Sequence, residues 1–528
     1  RIARKQVLYM KRVGRVIAFW AAFNEAHRSA LKVTEQPYIS IVPAPQTLTI
    51  ADGSLTLSGE VGLLATDSSF QAFAQHIVAE VSPHRVQAAE DAHVLLRLMN
   101  RTGLDEEGYK LVVDQKRVSL EASTEHGLFN GIMTLRQLLR SHEQTSGVLT
   151  LPLVEIEDKP AFPWRGLMLD SSRHFFTVEE VKHLLRTMAY FKLNHFHWHL
   201  TDDQGWRFPV PKYPKLISVG SRRSGTQIGH TSKTDHIPYQ HAYTAEDIDS
   251  VASLAESLHI EIVPEFDMPG HSQAAIAAYP ELSLSPTFHY DVQKMFSFPD
   301  TMRTSMVTSE FSKQFQVDVI DELAKLFPNS PCIHIGGDEV PGDSYTQIST
   351  AAAHVKKLGR SPIVWDEVVE SARGRKLPNG TMVMLWRNWL MDPDNNVLAY
   401  DAVRSGTDVI LTPLDKTYLD QWQSEGVSSE DGKGEQFDAR DGALTAAKVY
   451  SMDVSAGKAH VRGMQAQLWT EYIAQGGKNL DYMAWPRGAA LAEVAWSGKD
   501  RPGYFDFRKR LRFHAPDLKN MGVNFHPL

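Results

Sequence analysis

Short apolar segments alternate with longer amphipathic ones along residues 165–500. This alternation is typical of βα units, in which buried parallel strands are separated by helices. Apolar residues at helical spacing fill 178–193, 245–258 and 311–327. Strand character is found at 166–170, 195–202, 260–267, 332–336, 362–367, 382–386, 408–413 and 464–469. The pattern predicts an α/β fold, a (β/α)8 TIM barrel with loop insertions, at 161–528.

Residues 37–160 have a different pattern, in which β-type alternation and turn residues precede one clear helix. The strand-like segments lie at 93–99, 109–114 and 118–122, and the helical one at 127–140. We therefore predict a small α/β domain, an antiparallel sheet with helices, ahead of the barrel. Residues 151–164 carry three prolines and acidic residues, which predicts a linker.

Residues 1–36 form an N-terminal extension with a charged start and an apolar run at 16–23. It is either a degraded export signal or a helix, so periplasmic, secreted and cytoplasmic locations stay open. No apolar run reaches the roughly 18 residues of a membrane span. The net charge is −8, without a Lys/Arg-rich stretch, which argues against a nucleic-acid partner. Cys332 is the single cysteine, so no internal disulfide is expected.

Charged and aromatic residues collect at the carboxyl ends of the predicted strands, where barrel enzymes place their active sites. They are Arg173, His174, Asp202, Asp203, Asp267, His271, Asp338, Glu339, Trp365, Trp386, Tyr418, Asp420, Trp469 and Glu471. Aromatic faces pack against the C–H faces of pyranose rings, while carboxylates and arginine bind sugar hydroxyls. The set therefore predicts a carbohydrate site, and the polar loop at 423–442 is expected on the same face.

A second interpretation comes from His195, His197 and His199, which alternate on one face of a predicted strand. A His-x-His pair on a barrel strand also begins the metal sites of metal-dependent hydrolases. Further ligands would have to come from His271 and His334. A metal-dependent amidohydrolase-type barrel built on His197 and His199 is kept as an alternative to a polar layer inside the barrel. The favoured interpretation needs no metal and no cofactor.

The ordered motifs of the barrel resemble those of glycoside hydrolase family 20, the β-N-acetylhexosaminidases. These motifs are RGLMLDSSRHF, HFHWHLTDDQGWR, PEFDMPGH, HIGGDEV, WDE and LWTE. The resemblance extends from 164 to 500, and the segment EHGLFNGIMTLRQLL is similar to the N-terminal α/β domain of that family.

The resemblance implies a role for each matching residue. Glu339 is the expected general acid/base, and Asp338 the residue that orients and stabilises the 2-acetamido group of the substrate. Asp202, rather than its neighbour Asp203, is expected to support the acid/base together with His271. Sugar hydroxyls, the acetamido group and the pyranose ring are expected to contact Arg173, Trp365, Trp386, Tyr418, Asp420, Trp469 and Glu471.

Asp338 and Glu339 are adjacent, whereas most glycosidases place two carboxyl groups on either side of the scissile bond. Successive side chains diverge along a strand, so Asp338 is poorly placed to attack opposite Glu339. The 2-acetamido carbonyl of the substrate can attack instead, through an oxazolinium intermediate and with retained configuration. This mechanism needs a protonated Glu339 with a raised pKa and an ionised Asp338.

The resemblance thus implies an exo-acting, retaining hydrolase of terminal β-linked N-acetylglucosamine or N-acetylgalactosamine. A catalytically inactive sugar-binding barrel is the third alternative. The choice between the two sugars, the natural polymer (chitin oligomer, glycan or glycolipid) and the choice between monomer and homodimer stay open.

Overall fold

The computed structural model describes residues 38–57, 61–65, 68–81, 86–88, 93–98, 104–141, 148–229, 231–296, 304–340, 344–372, 374–387, 406–424, 443–454, 460–473 and 476–528. The predicted extension at 1–36 and most of the loop at 423–442 lie outside these residues. Ser40–Leu528 forms one compact unit, and the fold below is that of this unit.

A seven-stranded mixed sheet forms the N-terminal part of this unit. Its strands are β1 (Thr47–Leu57), β2 (Val61–Ala65), β3 (Val86–Ala88), β4 (Val94–Leu98), β5 (Tyr109–Val113), β6 (Val118–Ala122) and β7 (Leu149–Asp158). The order is β1-β7-β5-β6-β4-β2-β3, antiparallel from β1 to β6 and parallel from β6 to β3. Helices α1 (Ser68–Val81) and α2 (Glu125–Ser141) pack on the sheet. The predicted antiparallel sheet is therefore half parallel.

The prediction of a linker at 151–164 was wrong over most of its length, because strand β7 continues to Asp158. This strand pairs with both β1 and β5 and lies inside the sheet. Pro152 misled the prediction because a proline cannot donate a ladder hydrogen bond. The structure places Pro152 opposite Ser54, where the register between β1 and β7 shifts, and such irregularities tolerate proline. The prediction of separate domains at 37–160 and 161–528 stays a prediction.

Eight parallel strands form a closed barrel, which confirms the predicted fold class. They are β8 (Trp164–Asp170), β9 (His195–His199), β10 (Glu261–Glu265), β11 (Cys332–His334), β12 (Ser361–Trp365), β13 (Met382–Leu385), β14 (Val409–Leu411) and β15 (Val461–Leu468). Strand β15 pairs with β8 and closes the ring. Each predicted strand overlaps an observed one, because barrel strands are buried on both faces and appear as apolar runs.

Helices follow most barrel strands. They are α3 (Val178–Tyr190), α4 (Ala245–Ser257), α5 (Gln273–Ala278), α6 (Glu310–Leu326), α7 (Tyr345–Lys357), α8 (Glu367–Ser371), α9 (Leu414–Thr417), α10 (Ala446–Tyr450), α11 (Gly477–Ala484), α12 (Arg487–Ser497), α13 (Tyr504–Phe513) and α14 (Ala515–Asn520). Reciprocal hydrogen bonds between the first capping residue and the third helical residue begin α3 and α4. No helix of the described residues is long and apolar enough to cross a membrane.

Asp158, at the end of β7, joins the sheet to the barrel through buried contacts. Its carboxylate accepts hydrogen bonds from the Tyr109 hydroxyl at 2.6 Å and from the Trp496 indole at 3.0 Å. Lys192 follows α3, and its ammonium group lies 3.4 Å from the same carboxylate. Burial lowers the pKa of Lys192 to about 8, although the Asp158 charge opposes this change. A buried charge pair thus lies between the sheet and the barrel.

Replacing Asp158 by asparagine should destabilise the fold, since it leaves Lys192 buried without its opposite charge. We expect the free energy of unfolding to fall by about 3 kcal/mol, as measured by urea denaturation. Glu157→Gln is the matched control, because Glu157 is exposed one residue earlier, and should change that energy by less than about 0.5 kcal/mol. Equal stabilities of the two variants would contradict a stabilising role for the pair.

Candidate active site

Asp338 and Glu339 lie in the loop that follows β11. The backbone turns sharply here, with φ of +65° at Gly336 and +107° at Gly337. A Cβ atom at Gly336 would lie 1.7 Å from Asp267 Oδ1, so only glycine fits beside that carboxyl. Glu339 also has a left-handed φ of +50°. The loop conformation, unlike a strand, lets neighbouring side chains turn the same way.

His271 brings the two carboxyl groups together from the loop after β10. Its Nε2 lies 3.3 Å from Glu339 Oε2 and 3.7 Å from Asp338 Oδ2. The prediction that the two side chains diverge is therefore wrong, because both reach one nitrogen. The consequence for the mechanism is unchanged. Two carboxyl groups that both face His271 Nε2 do not lie on opposite sides of a sugar, so Asp338 remains poorly placed to attack opposite Glu339.

Asp202 and Asp203 both face the other nitrogen of His271. Asp202 Oδ1 is 3.2 Å from His271 Nδ1, and Asp203 Oδ2 is 3.5 Å from it. Burial raises the pKa of Asp203, whereas the charges of Arg173 and His271 overcome burial and lower that of Asp202. Burial also disfavours a charged His271, but Asp202 and Asp338 outweigh it and raise the His271 pKa well above its usual value. Asp202 is thus the ionised partner of a charged histidine.

The protonation of the carboxyl pair differs from the predicted one. The pKa of Asp338 is raised to about 7, mainly by burial; the charge of His271 opposes this change, and the nearby carboxylates Glu367 and Glu339 contribute to it. The hydrogen bond from His271 lowers the pKa of Glu339, whose side chain is 37% exposed. The expectation of a raised Glu339 pKa was therefore wrong for the unliganded site, where the shared proton favours Asp338.

Arg173 and Glu471, which follow β8 and β15, form an ion pair at the rim. Arg173 Nη1 lies 3.1 Å from Glu471 Oε1, and its guanidinium stacks 5.2 Å from the Trp469 ring. Asp202 and Asp170 hold the same guanidinium at 2.8 and 3.1 Å. These contacts fix its position, and they connect the ion pair to the carboxylate that faces His271.

Four aromatic residues form a continuous wall around the rim. Trp386 stacks on Tyr418 with ring centroids 6.1 Å apart, and Tyr418 lies 6.2 Å from Trp469. Trp365 is 6.0 Å from Trp469 and is almost completely buried. Burial, and then the charge of Asp338, raise the pKa of Tyr418, which places this wall beside the carboxyl pair.

Three further carboxyl groups surround the site: Asp420, which was predicted, and Glu367 and Asp170, which were not. Asp420 is buried after β14, and its charge also raises the pKa of Tyr418. Glu367 was not predicted from the sequence; its Oε2 accepts a hydrogen bond from Trp386 Nε1 at 2.9 Å. Asp170, which supports Arg173, was not predicted either. Asp170 ends a strand that had been identified, and this position was the available signal.

His197 and His199 lie inside the barrel, where Glu265 accepts contacts from both. Trp365 Nε1 donates to the same carboxylate at 3.1 Å, and His334 Nδ1 lies 2.8 Å from it. These contacts form the polar layer that was one of the two interpretations. Among the described residues, His197 lies in one group with Glu265 and His334, and His199 in another with Asp202 and Asp267, the ligand atoms of each group lying within 4.8 Å of one another. The two histidines of the predicted pair therefore fall in separate groups.

Cys332 takes no part in the site. It is buried in β11, and burial raises the pKa of its thiol to about 12. A protonated, inaccessible thiol is a poor nucleophile.

Comparisons with known proteins agree with this geometry. The family profile "Glycosyl hydrolase family 20, catalytic domain" matches residues 162–356 and 346–499, and "Glycosyl hydrolase family 20, domain 2" matches 38–159. A beta-hexosaminidase of Porphyromonas gingivalis is 32% identical over 92% of this chain, which spans 64% of that relative. A beta-N-acetylhexosaminidase of Cellulomonas fimi is 32% identical, with 93% of this chain and 96% of the relative covered.

Solved structures show the same similarity. The N-acetyl-beta-hexosaminidase of Streptomyces plicatus, in complex with Thio-NAglucal, has a TM-score of 0.79 and 29% identity, with 93% of this chain and 97% of that chain covered. The exo beta-N-acetylglucosaminidase of Vibrio harveyi, in complex with N-acetylglucosamine, has a TM-score of 0.78 and 29% identity, with 93% and 78% covered. With both of its family profiles matched and the barrel rim assembled, the chain belongs to glycosyl hydrolase family 20.

Proposed function

We propose that the protein is an exo-acting β-N-acetylhexosaminidase that removes terminal, non-reducing β-linked N-acetylhexosamine with retained configuration. The observation that carries the proposal is the carboxyl pair Asp338 and Glu339, which faces one histidine beside an aromatic wall. The Porphyromonas gingivalis and Cellulomonas fimi relatives are hexosaminidases by name, and the Vibrio harveyi neighbour is an exo beta-N-acetylglucosaminidase by name. The family assignment favours neither the metal-dependent barrel nor the inactive one.

The first step breaks the glycosidic bond without an enzyme nucleophile. Glu339 donates its proton to the glycosidic oxygen, and the acetamido carbonyl oxygen of the substrate attacks the anomeric carbon from the opposite face. The aglycone leaves as an alcohol, and the sugar becomes a bicyclic oxazolinium ion. In the second step, Glu339 takes a proton from water, which attacks the anomeric carbon and reopens the ring. Two inversions give net retention.

Asp338 is suited to stabilise the positive charge that develops on the acetamido nitrogen. Its side chain is 13% exposed, and its Oδ1 has no hydrogen-bond partner among the described residues. An acceptor held ready in this way can bind the acetamido N–H. The acetamido nitrogen becomes more positive as the carbonyl oxygen attacks. The hydrogen bond between its N–H and Asp338 therefore strengthens towards the transition state.

Substrate binding must also move the shared proton, because the unliganded site favours it on Asp338. A hydrogen bond from the acetamido N–H favours the ionised form of Asp338. The aglycone covers the exposed carboxyl of Glu339, and this loss of hydration favours its neutral form. Both changes transfer the proton in the direction that the first step requires. His271, held charged by Asp202, keeps an N–H directed at the pair.

Arg173, Glu471 and Asp420 are assigned to the hydroxyl groups of the terminal sugar. Arg173 is held by Asp202, Asp170 and Glu471, so its guanidinium offers a fixed set of donors. Fixed donors at the end of a site favour binding of a chain terminus. Relative rates on matched aryl N-acetylglucosaminides and N-acetylgalactosaminides will identify the preferred C4 configuration.

A series of aryl β-glucosaminides with acetyl, fluoroacetyl, difluoroacetyl and trifluoroacetyl groups tests the attacking atom. Fluorine withdraws electrons from the carbonyl oxygen, so kcat/KM should fall steeply with each added fluorine. The corresponding aryl β-glucoside, which lacks the amide, should not be hydrolysed. Rates independent of fluorination would contradict substrate-assisted attack. Loss of activity on chelation, restored by zinc, would instead favour the metal-dependent alternative.

A further inference from the structure

Glu367 connects two neighbouring strand ends at the active-site rim. It begins α8, directly after β12, and its side chain is half-buried. Its Oε2 accepts a hydrogen bond from Trp386 Nε1, 2.9 Å away, and Trp386 follows the adjacent strand β13. None of the roles inferred above uses this carboxyl group.

The hydrogen bond adds a directional constraint to an indole that is otherwise held by apolar packing and stacking. Trp386 is half-buried, and its stacking on Tyr418, at an interplanar angle of 29°, occupies one face of the ring. The second side-chain torsion of tryptophan has broad minima, so stacking alone does not select one orientation. A hydrogen bond to its single polar atom does so. Glu367 therefore defines where this part of the aromatic wall stands.

Glu367 is paired differently from the other carboxyl groups on its segment. Arg387 donates to Asp366 at 2.8 Å and contacts Glu370 at 2.9 Å. Glu367 accepts the indole N–H; it also hydrogen-bonds to Asp366 and experiences the positive charge of Arg387. Burial, and then the charge of Asp366, raise its pKa to about 8. Its negative charge, which develops as the pH approaches 8, adds to burial in raising the pKa of Asp338.

We propose that Glu367 is a positioning residue of the active site, which holds Trp386 against Tyr418 and acts electrostatically on Asp338. The inference rests on the proposed function, in which Asp338 works in its ionised form. This role requires no contact between Glu367 and the sugar. It predicts two separable effects. The positioning of Trp386 depends on the hydrogen-bond acceptor of Glu367, whereas the action on Asp338 depends on its negative charge.

The effect of the charge has a definite direction on a pH profile. The working state of the Asp338–Glu339 pair carries one proton, and hydrolysis declines at high pH as that proton is lost. A nearby negative charge raises the pH at which the pair loses this proton. Removing the charge of Glu367 should therefore lower that pH. Other charged or titratable groups around Asp338 and Glu367 are Glu265, Asp267, His271, Asp366, Glu370, Arg387 and Tyr418. Substituting Glu367 leaves all of these in place.

Two variants of the full-length enzyme separate the effects. Glu367→Gln keeps an oxygen that can accept from the indole but has no charge. We expect the alkaline limb of its kcat/KM profile to move to lower pH by about half a unit, with KM within about twofold of the wild type. Glu367→Leu also loses the acceptor, and its kcat/KM at the optimum should fall about tenfold further. Glu246→Gln, which removes an exposed carboxylate on α4, is the matched control and should retain the wild-type profile.

Kinetics on an aryl β-N-acetylglucosaminide, with circular dichroism to verify folding, give the result. The proposal is supported if Glu367→Gln shifts the profile and rescues most of the activity lost in Glu367→Leu. It is overturned if both variants match the wild type, or if Glu367→Gln loses as much as Glu367→Leu with an unshifted profile. A wild-type enzyme without hydrolysis would overturn the proposed function itself, so the two failures are distinguishable.

Discussion

Replacing Asp338 by asparagine should reduce kcat/KM for aryl N-acetylhexosaminides by about 10²–10³-fold, the usual effect of losing one electrostatic stabiliser of a transition state. The asparagine has no negative charge to offset the positive charge of the oxazolinium ion. Its amide also presents donors where an acceptor is needed. Initial rates at the pH optimum measure the loss. Asp249→Asn, an exposed carboxyl on α4, is the control and should retain wild-type activity.

The same substitution should not destabilise the fold, and its effect on stability has a definite pH dependence. The pKa of Asp338 is raised from 3.8 to about 7, so the folded state disfavours its ionised form. The resulting cost to stability is absent below pH 3.8, grows as pH rises, and is complete above about 7. We therefore expect Asp338→Asn to unfold at a higher temperature than the wild type at pH 8 and at a similar one near pH 4. An inactive but more stable variant would separate catalysis from folding.

Full activity of Asp338→Asn would overturn its assignment to the acetamido group. Lower stability at pH 8 would instead show that the buried carboxylate has a structural partner.

The barrel could be predicted from the sequence because its strands carry their own signal. Strands buried on both faces appear as apolar runs, and their ends mark the rim. Strand β7 did not appear as an apolar run, because its proline, Pro152, and its acidic residues are typical of a linker. Its place in the sheet depends on pairing with β1, far away in sequence, where a register shift accommodates Pro152. Long-range pairing of this kind has no local signature.

The candidate site divides in the same way. Rim residues were predictable by position, since each follows a strand. Contacts between them were not, because they depend on which loops meet. Burial raises the pKa of Asp338, and the closer contact of His271 with Glu339 lowers that of Glu339; together they reversed the expected order of the two pKa values. Glu367 is the last residue of the WDE motif, but its partner Trp386 follows the next strand. The motif alone therefore did not reveal that Glu367 accepts a hydrogen bond from Trp386.

Replacing Glu339 by glutamine should give a loss that depends on the leaving group. Glutamine cannot donate a proton to the glycosidic oxygen or accept one from water. General acid–base catalysis contributes about 10²–10⁴-fold, so substrates with poor leaving groups, such as chito-oligosaccharides, should lose activity in that range. A nitrophenolate leaves without protonation, so the first step on nitrophenyl substrates should be much less affected. Comparing kcat/KM across aryl substrates of graded leaving-group pKa gives the measurement.

The second step distinguishes a general acid/base from a residue that only binds the aglycone. If Glu339 activates water, the Glu339→Gln variant forms the oxazolinium intermediate from a nitrophenyl substrate faster than water consumes it. A small anionic nucleophile such as azide, which needs no general base, should then accelerate turnover and yield a β-glycosyl azide. Glu246→Gln, an exposed glutamate on α4, is the control and should show no azide effect. Equal losses for all leaving groups, without rescue by azide, would assign Glu339 to binding, and the acid/base would have to be sought elsewhere on the rim.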